Sequence, residues 1–191
     1  MRLIIGMSGA SGVIYGIRLL QVLRDVPEVE THLVMSDSAK LNIALETEWE
    51  TRDVQALADE VHSNKDIGAS IASGSFLTDG MIIAPCAMKT LSAIANSYAD
   101  SLLVRAADVV LKERRRLVLV PRETPLHSGH CELLLKASQI GAIIAPPMPA
   151  HYIQPTSVEE LVDHHVGRLL DLFSLDPGLV QRWRGAGASS D

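Results

Sequence analysis

What the chain has little of narrows it first. Its 191 residues include only two cysteines, Cys86 and Cys131, far apart and in no CxxC pair. That count excludes a disulfide framework and a thiolate zinc site, and leaves two reduced thiols in a cytosolic protein as the expectation. There is no basic excess: 17 Lys and Arg stand against 23 Asp and Glu, a formal net charge of -6. Nucleic-acid surfaces carry the opposite balance, so no nucleic-acid partner is expected. The densest basic run, Lys112 to Arg116, falls at a predicted helix end, where cations suit the macrodipole. No apolar stretch approaches the roughly 20 residues of a membrane helix. The N-terminal apolar run is too short for a signal peptide and leads into glycines. A soluble, cytoplasmic protein is expected.

Several motifs are missing as well. The first glycines fall at 6, 9 and 12, so the GxGxxG dinucleotide fingerprint is absent, and there is no GK[ST] P-loop. The seven histidines form no HExxH. His127 and His130 are spaced i, i+3 without evident further ligands, and His164 and His165 are adjacent on a helix and face different ways. No metal site is expected.

What is present is an alternation. Short apolar runs at 3–5, 31–35, 80–84, 117–120 and 142–145 read as strands of a sheet covered on both sides. Between them lie amphipathic segments at 13–24, 38–45, 53–61, 89–95, 102–114 and 129–139. A last helix is expected over 158–173, with Ser157 and Glu160 forming a capping box. This rhythm predicts an α/β fold: a flavodoxin-like or Rossmann-like doubly wound parallel sheet with helices on both faces. At 47% hydrophobic, residues 1–184 are enough for one domain with a sizeable core, and the small, polar tail 185–191 is expected to be disordered. Three prolines at 146, 147 and 149 make a stiff loop after the last strand, on the edge where such sheets bind ligands.

Three loops on that edge carry residues suited to chemistry. The first strand runs into Gly6-Met7-Ser8-Gly9-Ala10-Ser11-Gly12 and then a helix, which aims backbone N–H groups and a dipole at one spot, as a phosphate requires. The second strand ends at Ser36, where NAD-binding folds place an acid for the ribose, so a mononucleotide fits better than NAD. In Pro85-Cys86-Ala87-Met88-Lys89-Thr90, Thr90 and the helix start suit a ring edge or a phosphate. Cys86 has no evident base beside it and reads as a buried structural thiol rather than a nucleophile. Arg122 and Glu123 close another strand: a phosphate fork and a proton carrier, or an internal ion pair.

Taken in order, a set of motifs covers residues 2 to about 183. It comprises Met7-Ser8-Gly9-Ala10-Ser11-Gly12, Val34-Met35-Ser36, the Pro85–Thr90 loop, Arg105-Ala106-Ala107-Asp108-Val109, Leu111-Lys112-Glu113, Pro121-Arg122-Glu123-Thr124-Pro125-Leu126 and Pro146-Pro147-Met148-Pro149-Ala150. The ordered set resembles the UbiX-type flavin prenyltransferases, including paralogues named as the B subunit of phenolic acid decarboxylases. The resemblance implies a single FMN-binding domain that joins a dimethylallyl group from dimethylallyl monophosphate to N5 and C6 of reduced FMN. The prenylated FMN so made would serve a UbiD-type decarboxylase, and the subunits would form a homododecamer with sites at their interfaces.

By the same resemblance Gly9, Ala10, Ser11, Ser36, Ala87, Met88, Lys89, Thr90 and Arg122 bind the flavin. Arg105, Lys112, Tyr152 and Arg168 bind the donor's phosphate, and Ser11, Glu46, Glu123 and Trp183 take part in catalysis. One departure is Ala87, where the family has Ser; a lost flavin hydrogen bond there is worth about 0.5–1.5 kcal/mol. Two other readings share the scaffold: an FMN-dependent cysteine decarboxylase, and a non-catalytic flavin carrier subunit of a decarboxylase. The first uses an early histidine and an Asn in the loop where this chain has Lys89, while its own first histidine, His32, lies in a predicted strand.

Overall fold

Strands at the centre of a covered parallel sheet are apolar on both faces, and β1 (Arg2–Met7) and β4 (Gly80–Cys86) are buried along almost their whole length. In the computed structural model, which describes residues 1–183 and Gly185, they are joined by β2 (Glu30–Met35), β3 (Glu60–Ser63), β5 (Arg116–Pro121) and β6 (Ala142–Ile144). All pairings are parallel, in the order β3-β2-β1-β4-β5-β6. The 185–191 tail lies outside the described residues except for Gly185. The chain divides into two compact units, Met1–Pro147 and the segment from Met148 onward.

In the first unit, one sheet face carries Ile4, Val34, Met81, Ile83, Leu117 and Leu119 into a core with α4 (Met88–Ala95), α5 (Leu102–Lys112) and α6 (Ser128–Gln139). The opposite face presents Leu3, Ile5 and Met7, set by the two-residue period of a strand. There α1 (Val13–Arg24) approaches so closely that a Cβ on Gly16 would lie 2.3 Å from the Ala84 carbonyl oxygen. Helices therefore cover both faces, as the alternation predicts. Among the described residues no helix is long and apolar enough to cross a membrane.

One stretch differs from expectation. A helix over 53–61 was expected, but α3 (Thr51–Gln55) stops early and residues 60–63 become the sixth strand, β3. The reason is that β3 is a polar edge strand without an apolar alternation to betray it. Its neighbourhood is fixed by polar contacts instead. His32 Nδ1 lies 2.9 Å from His62 Nε2, and Thr31 donates to Asp59 through both N–H and Oγ, at 2.7 and 2.9 Å.

The unit beginning at Met148 is built on α7 (Val158–Asp171). Ser157 caps it by accepting from the Glu160 N–H at 3.2 Å. The expected capping box is shifted by one residue. Glu160 reaches back to Thr156, accepting from its N–H at 2.7 Å and its hydroxyl at 2.8 Å, instead of bonding the Ser157 N–H. A Cβ on Gly167 would lie 2.6 Å from the Val180 side chain, so the chain after α7 folds back onto the helix.

Because the atom nearest Gly16 is backbone, which cannot rotate away, Gly16→Ala is expected to destabilise by about 1–3 kcal/mol. Urea unfolding checks this as a lower midpoint at unchanged slope.

Candidate active site

The strand order reverses its winding at β1, which lies between β2 and β4. Open α/β sheets bind ligands in the crevice outside the carboxyl ends of the strands at such a point. The chain places residues 8–12 after β1, Ser36 after β2, residues 87–90 after β4 and residues 122–123 after β5. Four of the expected flavin segments thus leave the sheet on one edge.

The first turn is held from outside by one stripe of α2 (Asp37–Glu46). Residues four apart on a helix share a face, and Ser38, Asn42 and Glu46 meet the turn in order. A Cβ on Gly9 would fall 2.3 Å from the Ser38 Cβ, so only glycine fits there. The Asn42 side-chain amide donates to the Ala10 carbonyl at 3.0 Å. Glu46 Oε2 accepts from the N–H groups of Gly12 and Val13 at 2.8 and 3.3 Å. Gly12, at φ 98°, is the N-cap of α1 and has no side chain of its own to do this. The donors expected to face a phosphate are therefore held by a carboxylate of the same chain; Gly9 and Ser11 are exposed, and Ala10 between them is buried. Ser36 caps α2, its hydroxyl accepting from the Ala39 N–H at 3.1 Å.

The second loop is backed by buried groups. Cys86 is fully buried, and burial pushes its thiol up to about 12, which makes it inert at neutral pH as the sequence suggests. Ala87 is the N-cap of α4 in extended backbone, and its methyl offers no acceptor to the N–H groups of the first turn. Thr90 is half-buried and Lys89 exposed. Backbone donors at a helix start, beside a glycine with no room for a side chain, fit a mononucleotide phosphate and a flat ring. On the third strand end Arg122 and Glu123 are both exposed, and Glu123 Oε1 accepts from the Thr124 N–H at 3.0 Å. Among the described residues no ion pair joins Arg122 to Glu123.

The cationic residues of α5 divide. Arg105, in its second turn, pairs with Asp108 at 2.7 Å and donates to the Ala72 carbonyl at 3.2 Å. Lys112, at the far end, pairs with Glu113 and lies beside Gly74. Since α5 runs back to the start of β5, Lys112 sits at the amino edge of the sheet, opposite the turns described above.

In the second unit Tyr152, His164 and Trp183 form a cluster. Tyr152 Oη lies 3.2 Å from His164 Nε2, and the Trp183 ring meets that of Tyr152 edge-on at 5.8 Å. Burial, then the Arg168 charge one turn on, holds the His164 imidazole below its ordinary range. Arg168 pairs with Asp171 at 2.6 Å, and Asp171 also takes Arg182 at 2.8 Å. Arg182 and then Arg168 keep that carboxyl below the usual range.

Sequence reasoning missed Ser8, Ser38 and Asn42. Ser38 and Asn42 carried one legible signal, their four-residue spacing from Glu46; Ser8 carried none. Among the described residues, no group of three or more His, Cys, Asp or Glu is arranged to hold a metal ion.

Comparison with known proteins adds independent findings. Residues 1–170 match the family model described as Flavoprotein. The chain is 59% identical over 187 residues to the flavin prenyltransferase UbiX of Escherichia coli, covering 97% of this chain and 99% of that one. It is similar, with TM-score 0.95 and 56% identity over 97% of its length and 100% of the other's, to a crystal structure described as a dodecameric FMN-dependent UbiX-like decarboxylase from Escherichia coli O157:H7. A crystal structure of AnUbiX in complex with FMN and dimethylallyl pyrophosphate matches with TM-score 0.95 and 52% identity, over 97% of this chain and 98% of that one.

Two expected outcomes follow from the local chemistry. Ala87→Ser supplies the acceptor that α4 lacks, and should stabilise by about 1 kcal/mol, read as a melting-temperature rise of about 2–4 °C. In α7, burial and then the neighbouring His164 hold His165 at about 4 instead of 6.5. The unfolded chain therefore binds more protons between those values, and stability falls as pH drops through that window. The loss approaches about 3 kcal/mol; denaturant titrations from pH 7 to 4 should show it, and His165→Gln should flatten this part of the profile.

Proposed function

The chain belongs to the flavoprotein family, as a UbiX-type flavin prenyltransferase, and on that premise we propose that it joins a dimethylallyl group to N5 and C6 of reduced FMN. The observation that carries the reading is the convergence, at one edge of the sheet, of the Gly9–Ser11 turn, the uncapped start of α4 and the Arg122–Glu123 strand end. Reduced FMN would be the substrate: N5 would bond to the dimethylallyl C1 as the C1–O bond to phosphate breaks and N5 gives up its proton. A proton added to the double bond at C2 would make C3 electrophilic, and C6 would bond to C3 and lose its own proton.

The chain's residues take distinct parts. Gly9, Ala10, Ser11, Ser36, residues 87–90 and Arg122 hold the flavin. Arg105, Lys112, Tyr152 and Arg168 hold the donor's phosphate and stabilise it as it leaves, by charge and hydrogen bonding. Trp183 turns a π face to the allylic cation, worth about 0.5–2 kcal/mol. Glu123 moves a proton by way of the phosphate, and Ser11 relays the one leaving C6. Glu46, anchored on Gly12 and Val13, fixes a negative charge beside Ser11.

Lys112, at the opposite edge of its own sheet, is assigned to the site of a neighbouring copy in a homododecamer. The dodecameric relative supports that assembly. Leu41 and Leu45, 60% and 72% exposed on α2, support it too, because large exposed apolar side chains mark interaction surfaces. The protein acts in the cytoplasm, and its product is consumed by a UbiD-type decarboxylase.

The test is anaerobic incubation with reduced FMN and dimethylallyl monophosphate, and in parallel the diphosphate, followed by mass spectrometry of the flavin. A flavin heavier by one dimethylallyl unit is expected; an unchanged mass with either donor overturns the reading, and bound but unaltered FMN then favours a carrier subunit. Glu123→Gln should keep FMN and lose about 10²–10⁴-fold in turnover, whereas full activity removes Glu123 from the mechanism.

A further inference from the structure

β1 and β4 pair in register from Leu3↔Gly80 to Gly6↔Ile83, and there the ladder stops. Beyond it the two chains must part to open the crevice, yet they stay joined through one buried residue. Ser8 is 1% exposed. Its N–H donates to the Pro85 carbonyl at 3.0 Å, its hydroxyl donates to the same carbonyl at 3.2 Å, and its Oγ accepts from the Ala87 N–H at 2.8 Å. One side chain thus satisfies both partners on the far loop and its own donor and acceptor.

We propose that Ser8 is a positioning residue for flavin binding: its hydroxyl fixes the Ala87–Thr90 loop at the distance from the Gly9–Ser11 turn that FMN requires. The proposal rests on reading those two segments as the flavin site. Ala87 makes the contact more consequential. In a capping box the N-cap N–H is taken by a side chain three residues along the helix; here the N-cap is Ala87, and its N–H is taken by Ser8 from another strand. Removing the hydroxyl leaves that N–H without its acceptor, so the loop must turn toward water or toward the ligand space. Serine and threonine both supply the needed donor and acceptor; alanine supplies neither, and cysteine only weakly.

The experiment compares the full-length parent with Ser8→Ala and Ser8→Thr. FMN affinity is read from quenching of flavin fluorescence, dimethylallyl monophosphate affinity by calorimetry at saturating FMN, and the melting temperature alongside. Ser8→Ala should raise the FMN Kd about tenfold or more, equivalent to about 1.4 kcal/mol, while donor affinity stays within about twofold and Ser8→Thr returns FMN binding to within about threefold of the parent. A purely structural role would weaken both ligands together. The proposal is overturned if Ser8→Ala binds FMN as the parent does, if donor affinity falls in step, or if Ser8→Thr is no better than Ser8→Ala. Should Ser8→Ala not fold, Ser8→Cys, close in volume, is judged by the same criteria. Neither affinity depends on turnover. A parent that binds FMN but transfers no prenyl group therefore refutes the reaction and leaves this proposal to its own result, whereas a parent that binds no FMN overturns both.

Discussion

The constraint on which the site depends is the end of the β1–β4 ladder at Gly6↔Ile83. Up to that pair the two strands are locked in register and buried on both faces. After it, each chain must find partners for its backbone groups without the other's ladder, because buried N–H and C=O groups are costly to leave unpaired. The chain solves this in two ways. Ser8 ties the β1 end to the β4 loop, and the stripe of α2 ties the turn that follows to the helix beside it. The segments that follow the two strands are thus held to each other and to α2 by side-chain hydrogen bonds, and not by the sheet ladder.

That arrangement has an electrostatic consequence. A helix start attracts an anion, and in many phosphate sites the ligand supplies it. Here α1 receives its negative charge from Glu46, whose oxygen sits on the Gly12 and Val13 N–H groups. The start of α4, with Ala87 at its N-cap, has no side-chain acceptor of its own. Two helix starts on one sheet edge thus differ: α1 is capped by a carboxylate of the same chain, and α4 has no side-chain cap. In the proposed flavin site the glycine turn would serve as a contact surface more than as an anion trap.

How much of this was legible in the sequence depends on the kind of force involved. Apolar alternation located five strands and the helices between them, because burial leaves a periodic trace. β3 left none, since its place rests on His32, His62, Thr31 and Asp59, whose contacts cross between strands distant in sequence. The glycine turn and the Arg122–Glu123 strand end were legible as local motifs. Ser8 was not, because a hydrogen bond to a backbone atom 79 residues away has no local signature, and Asn42, whose partner is 32 residues away, left only its four-residue spacing from Glu46. Spacing alone also assigned the first N–H groups of α1 to a phosphate; only the folded chain reveals that a glutamate from α2 reaches them first.

The placement of Lys112 joins the site to assembly. Within one subunit α5 carries Arg105 in its second turn and Lys112 at its end, on the amino edge of the sheet. A strand rises about 3.3 Å per residue, so a sheet whose central strands hold six or seven residues separates its edges by some 20 Å. No lysine rotamer spans that gap. If Lys112 binds the leaving phosphate, it does so in another copy's site, and each active site then needs at least two chains. On that reading the free subunit holds flavin without completing the phosphate site. The proposed phosphate site thus takes its last cation, Lys112, from a neighbouring copy, so its completion would depend on assembly as well as on folding.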